Sequence, residues 1–170
     1  MKNYSKILFA CLFLTVLIFF SCSKDDEITT FDRICGLWTV SDIQFEMTIE
    51  GEGLDVFLMN EYDLTEQEAL EIYEANKTAY RDSWTGTMQF LQDGTYDFNV
   101  GGENYQNDWY LSNDERTIHV FFVNHYMDLD ILSLSETEMK LVFDQIYYSD
   151  IVGDNKKEAI AYDNHFTLLK

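Results

Sequence analysis

Short runs in which aromatic and β-branched residues alternate with polar ones constrain this chain most, because they recur from residue 36 to residue 169. Turn-forming residues separate the runs at close intervals, as at Asp93-Gly94 and Gly101-Gly102. Alternation with a period of two predicts half-buried strands, and tight turns between them predict antiparallel hairpins. The predicted strands cover residues 36–49, 84–90, 95–100, 105–111, 117–123, 127–134, 138–148 and 158–169.

The serial order of these hairpins favours an all-β fold, an eight-stranded antiparallel up-and-down β-barrel. An immunoglobulin-like sandwich is the alternative. In the first strand the apolar positions change face near Ser41, which predicts a β-bulge. One helix is inserted between the first two strands. Thr65 and Glu68 form a capping box ahead of apolar residues at helical spacing, which predicts a helix from Glu66 to about Tyr80.

Several short motifs along these strands resemble those of bacterial lipocalin-like domains. Gly36 and Trp38 form a Gly-x-Trp motif in the first strand, and Asp93 and Gly94 belong to an Asp-Gly-Thr-Tyr hairpin turn. Residues 109–118 and 131–141 resemble later strands of the same family. The resemblance covers nearly all of the chain from residue 34 onward. It implies a lipocalin-like barrel that binds a small apolar or amphipathic molecule.

The chain also departs from the lipocalin pattern at two places. Many lipocalins place a basic residue near the end of the last strands against the first-strand tryptophan, and here the C-terminal strand offers only Lys170 for that contact. The connection at residues 54–83 is long, and in such a barrel it lies near the open mouth. The helix within it is therefore hypothesised to act as a lid.

Alternation along the strands predicts which side chains point into the barrel. A barrel of this size is either filled by its side chains or holds one small ligand. A small apolar ligand in the barrel is the leading functional hypothesis. The alternative is a filled barrel that acts as a non-catalytic accessory subunit and recognises a protein or a glycan through exposed aromatic residues on its surface. The predicted inward-facing residues, and candidate cavity lining, are Trp84, Met88, Phe90, Tyr96, Phe98, Trp109, Val120, Phe122, Leu141 and Phe143.

The N-terminal residues predict export. Lys2 and Lys6 accompany an apolar run from Ile7 to Phe20, which is short for a spanning helix of roughly 20 residues and typical of a secretory signal. Cys22 after this run resembles the lipidated cysteine of a bacterial lipobox. That implies cleavage before Cys22 and acylation, for instance with palmitate. An uncleaved anchor and a plain secreted protein are the alternatives.

The residues after Cys22 resemble the export signal of one Gram-negative phylum, which moves lipoproteins to the outer face of the outer membrane. This signal comprises Lys24, Asp25, Asp26 and Glu27. The implied organisation is a signal peptide (1–21), a lipidated acidic tether (22–33) and a barrel domain (34–170). We expect a monomer held to the outer membrane by its lipid anchor and exposed on the cell surface.

Charge argues against one class of partner. The chain has 11 Lys and Arg residues against 31 Asp and Glu residues, for a net charge of −20. Nucleic acid is excluded as an expected partner, because binding its phosphates requires cationic side chains. The acidity serves either to attract cations or to keep the protein soluble.

No motif predicts catalysis, a cofactor or a metal. The three histidines are scattered without zinc spacing, and no calcium loop, phosphate loop, dinucleotide fingerprint or hydrolase elbow occurs in the sequence. Cys35 would be the only other cysteine left beside Cys22 after cleavage, and we interpret it as a small core residue. Asp128 and Asp130 lie on one face of a predicted strand, and Asp144 lies on a neighbouring one. Such carboxylates could serve as acid and base or bind a cation, but pairs of this kind also arise by chance among 31 acidic residues.

Overall fold

The computed structural model describes residues 28–170. The predicted signal peptide, the lipidation site at Cys22 and the export signal at residues 24–27 lie outside the described residues. Within residues 28–170, no helix is both long enough and apolar enough to cross a membrane.

Antiparallel strands dominate the described chain, as the alternation predicts. The strands are β1 (Gly36–Ile49), β2 (Glu52–Gly53), β3 (Gly86–Phe90), β4 (Thr95–Val100), β5 (Glu103–Leu111), β6 (Thr117–Phe122), β7 (His125–Leu134), β8 (Glu138–Ser149) and β9 (Glu158–Leu169). The helices are α1 (Thr30–Ile34), α2 (Leu54–Tyr62) and α3 (Glu66–Trp84).

Pairing of the first strand with the last closes the sheet. From β3 to β9 each strand pairs with the next, and β1 pairs with both β3 and β9, which gives a closed eight-stranded antiparallel barrel. The two-residue β2 only extends β1. The register of β1 against β9 shifts between Val40 and Asp42, so the bulge predicted near Ser41 is confirmed. The predicted fold class is therefore confirmed.

The Asp93-Gly94 turn joins β3 to β4, where the sequence predicts a hairpin. Gly94 has φ +85°, a left-handed conformation that glycine adopts without steric cost. Asp93 Oδ1 accepts hydrogen bonds from the Thr95 amide at 3.0 Å and the Thr95 hydroxyl at 2.7 Å. These local bonds close the turn and explain why the sequence alone located it.

The helical insertion differs from its prediction. The capping box is confirmed, because the Thr65 amide donates to Glu68 Oε2 at 3.0 Å. The helix continues beyond Tyr80 to Trp84, so the placement of Trp84 in a strand was wrong. The strand β3 begins at Gly86 instead. This position requires glycine, because its φ is +148° and a Cβ there would meet the Asn99 carbonyl oxygen at 1.9 Å.

The helix α2 was not predicted. Its N-cap is Gly53, which makes no side-chain capping bond, and so the sequence carries no start signal there. Its Leu54 and Phe57 side chains are buried against Ile49 in a small cluster separate from the barrel interior. Tertiary packing therefore supports a helix that local sequence does not announce.

One end of the barrel, the α1 end, is closed by contacts to Trp38. This side chain is fully buried, and its Nε1 donates to the Ile34 carbonyl at 2.7 Å. Lys170 Nζ lies 4.6 Å from the centre of a Trp38 ring and donates to the Arg33 carbonyl at 2.7 Å. Lys170 thus makes the contact for which the C-terminal strand offers no other basic residue.

At the opposite end, the α3 end, helix α3 inserts its last side chain into the barrel. The Trp84 ring lies 5.6 Å from Phe122, 5.7 Å from Phe143 and 5.2 Å from Phe166, which belong to different strands. One turn earlier, the Tyr80 hydroxyl donates to Oδ1 of the fully buried Asn164 at 2.6 Å. The helix that was hypothesised to act as a lid is therefore anchored in the core by its last turn.

Candidate functional site

The barrel interior is filled by the side chains that the sequence placed there. All of the predicted inward-facing residues except Phe122 are buried in the core cluster, and Phe122 is half-buried against it. Among the described residues, the space left between Trp84, Met88, Met127 and their neighbours is about 10 Å³. One water molecule needs roughly that volume. The side chains proposed as cavity lining occupy the space that a ligand would need.

Polar groups inside the barrel are already engaged. The Tyr96 hydroxyl donates to the Phe121 carbonyl at 2.7 Å, and burial raises the pKa of Tyr96 to about 12. Asn164 accepts from Tyr80 and donates through Nδ2 to the Phe143 carbonyl at 3.1 Å. In residues 28–170, every buried side-chain nitrogen and oxygen has a hydrogen-bond partner. The interior therefore presents no unused polar group for orienting a ligand.

Adjacent barrel strands part toward the α3 end at two places where another element bridges them. Pairing of β1 with β3 stops at Thr39, and beyond it Arg81 of α3 donates from Nε to the Ile43 carbonyl of β1 at 3.2 Å. Pairing of β5 with β6 stops at Trp109, and beyond it the Tyr96 hydroxyl reaches the Phe121 carbonyl of β6. In both cases a side chain donates a hydrogen bond to a backbone carbonyl that lies beyond the last pair of the two strands.

A third parting, between β7 and β8, forms an open cleft. The two strands pair from Asp130 and Val142 toward the α1 end, but His125–Leu129 and Phe143–Ser149 are not paired with each other. The space between them is about 400 Å³ and is lined by residues of the segments 125–130 and 142–147. We call it the β7–β8 cleft. Its volume falls in the range of small-molecule pockets, roughly 300–1,000 Å³.

The floor of the β7–β8 cleft separates it from the core. Met127 and Phe143 line both the cleft and the small interior space. Gln145 donates from Nε2 to the Met127 sulfur at 3.6 Å, which is a weak contact across the cleft. No strand pairing joins the segments 125–129 and 143–149.

Acidic side chains line the outer rim of the cleft. The structure brings Asp128, Asp130 and Asp144 to this one site, as their placement on neighbouring predicted strands suggested. Asp128 Oδ1 lies 2.6 Å from His119 Nδ1, and Asp130 Oδ1 accepts from the Thr117 hydroxyl at 2.6 Å. Two of the three carboxylates therefore have neighbours on β6 that hold them in place.

Asp144 sits in a row of like charges. In the strand registers it lies opposite Asp163 of β9, and Asp163 in turn lies opposite Glu46 of β1. Like charges directly opposite one another destabilise a sheet. His165 Nε2 lies 3.1 Å from Asp163 Oδ1 and offsets part of this charge when protonated. This row thus continues the acidic character of the rim from β8 across β9 to β1.

A second acidic group lies in the loop after β8. Carboxylate oxygens of Asp150, Asp154 and Glu158 fall within 4.8 Å of one another. Asp150 Oδ1 accepts from the Gly153 amide at 2.6 Å, Asp154 Oδ2 accepts from Lys156 Nζ at 2.7 Å, and Glu158 Oε2 accepts from the Ile151 amide at 2.7 Å. These carboxylates hold the loop together.

An aromatic patch lies on the outer face beside the cleft. It consists of Tyr110, His119, Phe121 and Tyr126, on strands β5, β6 and β7. The ring centres are 4.5 Å apart for Tyr110 and His119, 6.0 Å for Tyr110 and Tyr126, and 5.1 Å for Phe121 and Tyr126. Tyr110 is 50 % exposed and Tyr126 is 58 % exposed. Scattered apolar surface residues are ordinary, whereas contiguous aromatic side chains on an outer face are a candidate interaction surface.

Sequence reasoning missed both the cleft and the patch. It treated each predicted hairpin as paired along its whole length, and it considered exposed aromatic residues as a recognition surface without naming which ones. The available signal was the outward position of Tyr110 and Tyr126, which alternate with the buried Trp109 and Met127.

Comparisons with known proteins give no assignment of function. No protein-family model matches the sequence, and a search of curated proteins found no match. Among solved structures, the chain is similar to a DUF4847 family protein from Bacteroides vulgatus, with 15 % sequence identity and a TM-score of 0.36. The likeness covers 76 % of this chain and 92 % of that one. We draw nothing about function from it.

Proposed function

We propose that this protein is a lipid-anchored surface lipoprotein with a lipocalin-like barrel, which acts as a non-catalytic interaction subunit and docks a partner through its aromatic patch. The observation that carries the proposal is the contrast between inside and outside. The interior space beside Trp84 is about 10 Å³, whereas the aromatic patch and the β7–β8 cleft are open to solvent. A barrel filled in this way uses its interior for stability and its surface for recognition.

The proposed anchor orients this surface. If Cys22 carries the lipid, residues 23–29 link it to α1, and a fully extended tether of that length spans about 25 Å. The α1 end of the barrel then lies toward the membrane. The β7–β8 cleft opens at His125 and Ser149, at the opposite end, where a partner approaches without obstruction from the bilayer.

A ligand carrier is the competing function, and native mass spectrometry separates the two. The mature lipidated protein is purified in detergent, and the mass is measured directly and after incubation with fatty acids, sterols and haem. We expect the bare protein mass plus its acyl chains. A stoichiometric apolar adduct on the barrel would contradict the proposal, because it would require the core to open around a ligand.

Photo-cross-linking on intact cells tests the docking surface. A photoreactive phenylalanine analogue replaces Tyr126 in one variant and Leu37 in the control. Leu37 is similarly exposed, at 54 % against 58 %, but lies at the α1 end. We expect a discrete adduct at position 126 and none at position 37. Protease or glycosidase sensitivity then identifies the partner as protein or glycan, and equal labelling at both positions would refute a specific surface.

The anchor and its export signal have their own test. Cys22→Ser is expected to abolish labelling by a clickable palmitate analogue, since the thiol that accepts the acyl chain is gone. Replacing Lys24, Asp25 and Asp26 with alanine is expected to keep the lipid but leave the protein facing the periplasm. Undiminished digestion of that variant by protease added to intact cells would defeat the surface-export proposal.

A further inference from the structure

We infer that the β7–β8 cleft binds an extended, cationic segment of a protein partner as an additional β-strand. This inference rests on the proposed function and names the chemistry of the partner. It starts from the backbone rather than from side chains, because His125–Leu129 and Phe143–Ser149 present unpaired strand edges to the same space. Unpaired edges are templates for strand addition, in which main-chain hydrogen bonds supply the affinity.

The contrast with the other partings of the barrel supports this assignment. The edge of β1 is covered by α3 and bonded by Arg81, and the edge of β6 is bonded by Tyr96. The β7–β8 edges are bridged only by the weak Gln145 to Met127 contact among the hydrogen bonds of the described chain. The fold therefore provides side-chain caps for two openings and leaves the third accessible.

Charge selects the occupant. Asp128, Asp130 and Asp144 line the rim, and the whole chain carries a net charge of −20. A second copy of this chain would bring equally acidic strands, and acidic edge residues discourage that pairing. A segment with Lys or Arg at alternate positions would place its cations beside these carboxylates on the outer face. The positions between them would be apolar, because they would face Met127 and Phe143 on the floor.

Synthetic peptides test the backbone pairing. Four peptides with the length of the β8 edge are compared on the lipidated protein in detergent micelles. They are an alternating Lys–Val peptide, an alternating Glu–Val peptide, and two Lys–Val peptides that carry N-methyl groups on every second amide, one in each register. We expect the Lys–Val peptide to bind and the Glu–Val peptide not to bind. N-methylation in either register should weaken binding by about tenfold or more, because alternate amides of the added strand donate to β7 and to β8. Hydrogen exchange should slow in segments 125–129 and 143–149.

Matched charge variants separate the cleft from general attraction between a cationic peptide and an acidic protein. Asp144→Lys and Glu103→Lys change the net charge equally, but Glu103 lies on β5, outside the cleft. We expect about tenfold weaker binding for Asp144→Lys and nearly unchanged binding for Glu103→Lys. Asp144→Asn is a milder second variant and should give an intermediate loss.

Each remaining outcome counts against the inference. Equal affinity for methylated and unmethylated peptides, or equal loss in both charge variants, would mean diffuse charge attraction only. Absence of binding, or binding without slower exchange in the two edges, would mean that the cleft accepts no strand. If position 126 still cross-links a partner in those cases, the proposed function stands and only the strand-addition mechanism fails. If the peptides bind as expected but position 126 cross-links no partner, the cleft accepts a strand and the proposed docking through the aromatic patch fails.

Discussion

Removing Trp84 tests whether the barrel is held together by its filled interior. A buried aromatic side chain removes about 150–250 Å² from water, worth about 4–6 kcal/mol at about 25 cal/mol per Å². Alanine retains part of that area, and unfolded chains are partly compact, so Trp84→Ala is expected to lower the free energy of unfolding by about 3–5 kcal/mol. Trp84 is 7 % exposed and contacts rings on three strands, which places it at the upper part of this range.

Urea unfolding followed by circular dichroism measures the effect. With a slope of about 2 kcal/mol per M, the midpoint should fall by about 2 M. Leu70→Ala on the same helix is the control, because Leu70 is 45 % exposed and should change stability by less than about 0.5 kcal/mol. Trp84→Phe should lose less than Trp84→Ala, and it keeps the test valid if the alanine variant fails to fold.

The same variant reports on ligand capacity. The space vacated by the indole would join the 10 Å³ interior gap and make an apolar cavity large enough for a benzene-sized probe. We expect benzene to stabilise Trp84→Ala and to leave the parent protein unaffected. A loss below about 1 kcal/mol, or equal stabilisation of the parent protein by benzene, would refute the filled-barrel interpretation.

Further outcomes follow from individual contacts. Lys170→Ala should lower the free energy of unfolding by about 1–2 kcal/mol, because it removes the ammonium that contacts the Trp38 ring and the Arg33 carbonyl. Lys170→Arg keeps the positive charge and should recover part of this loss. An equal loss in both variants would rule out a role for the charge. A double-mutant cycle with Tyr80→Phe and Asn164→Ala should show a coupling of about 1 kcal/mol in urea unfolding, and strict additivity would contradict their hydrogen bond. Burial raises the pKa of Tyr96 from 10.0 to about 12, so the phenol holds its proton more tightly in the folded state. The stability that this difference contributes is complete below pH 10 and is lost as the pH rises toward 12. Tyr96→Phe should therefore show a shallower loss of stability over that range in alkaline titration.

The sequence predicted elements whose causes are local. Period-two alternation located the barrel strands because each half-buried strand must place apolar residues on one face. Asp93 and Gly94 located their turn through an Asx bond and a left-handed residue, and Thr65 with Glu68 located the start of α3. The bulge at Ser41 was visible because the apolar face changes side there.

The sequence does not predict the features that depend on tertiary contacts. Trp84 fits the alternation of a strand as well as the end of a helix, and only its insertion among rings from distant strands decides between them. The helix α2 lacks a side-chain cap, and its burial against Ile49 is a tertiary contact. Lys170 meets Trp38 only when the last strand closes on the first.

Local sequence predicts the serial hairpins, their turns and most inward-facing residues, since these depend on neighbours close in the chain. Tertiary structure alone decided whether those residues fill the barrel, because that depends on the summed side-chain volume against the barrel radius. It also decided that β7 and β8 part beyond Asp130. Strand pairing along a closed sheet is a long-range geometric condition, and no run of residues within β7 or β8 encodes where the ladder stops.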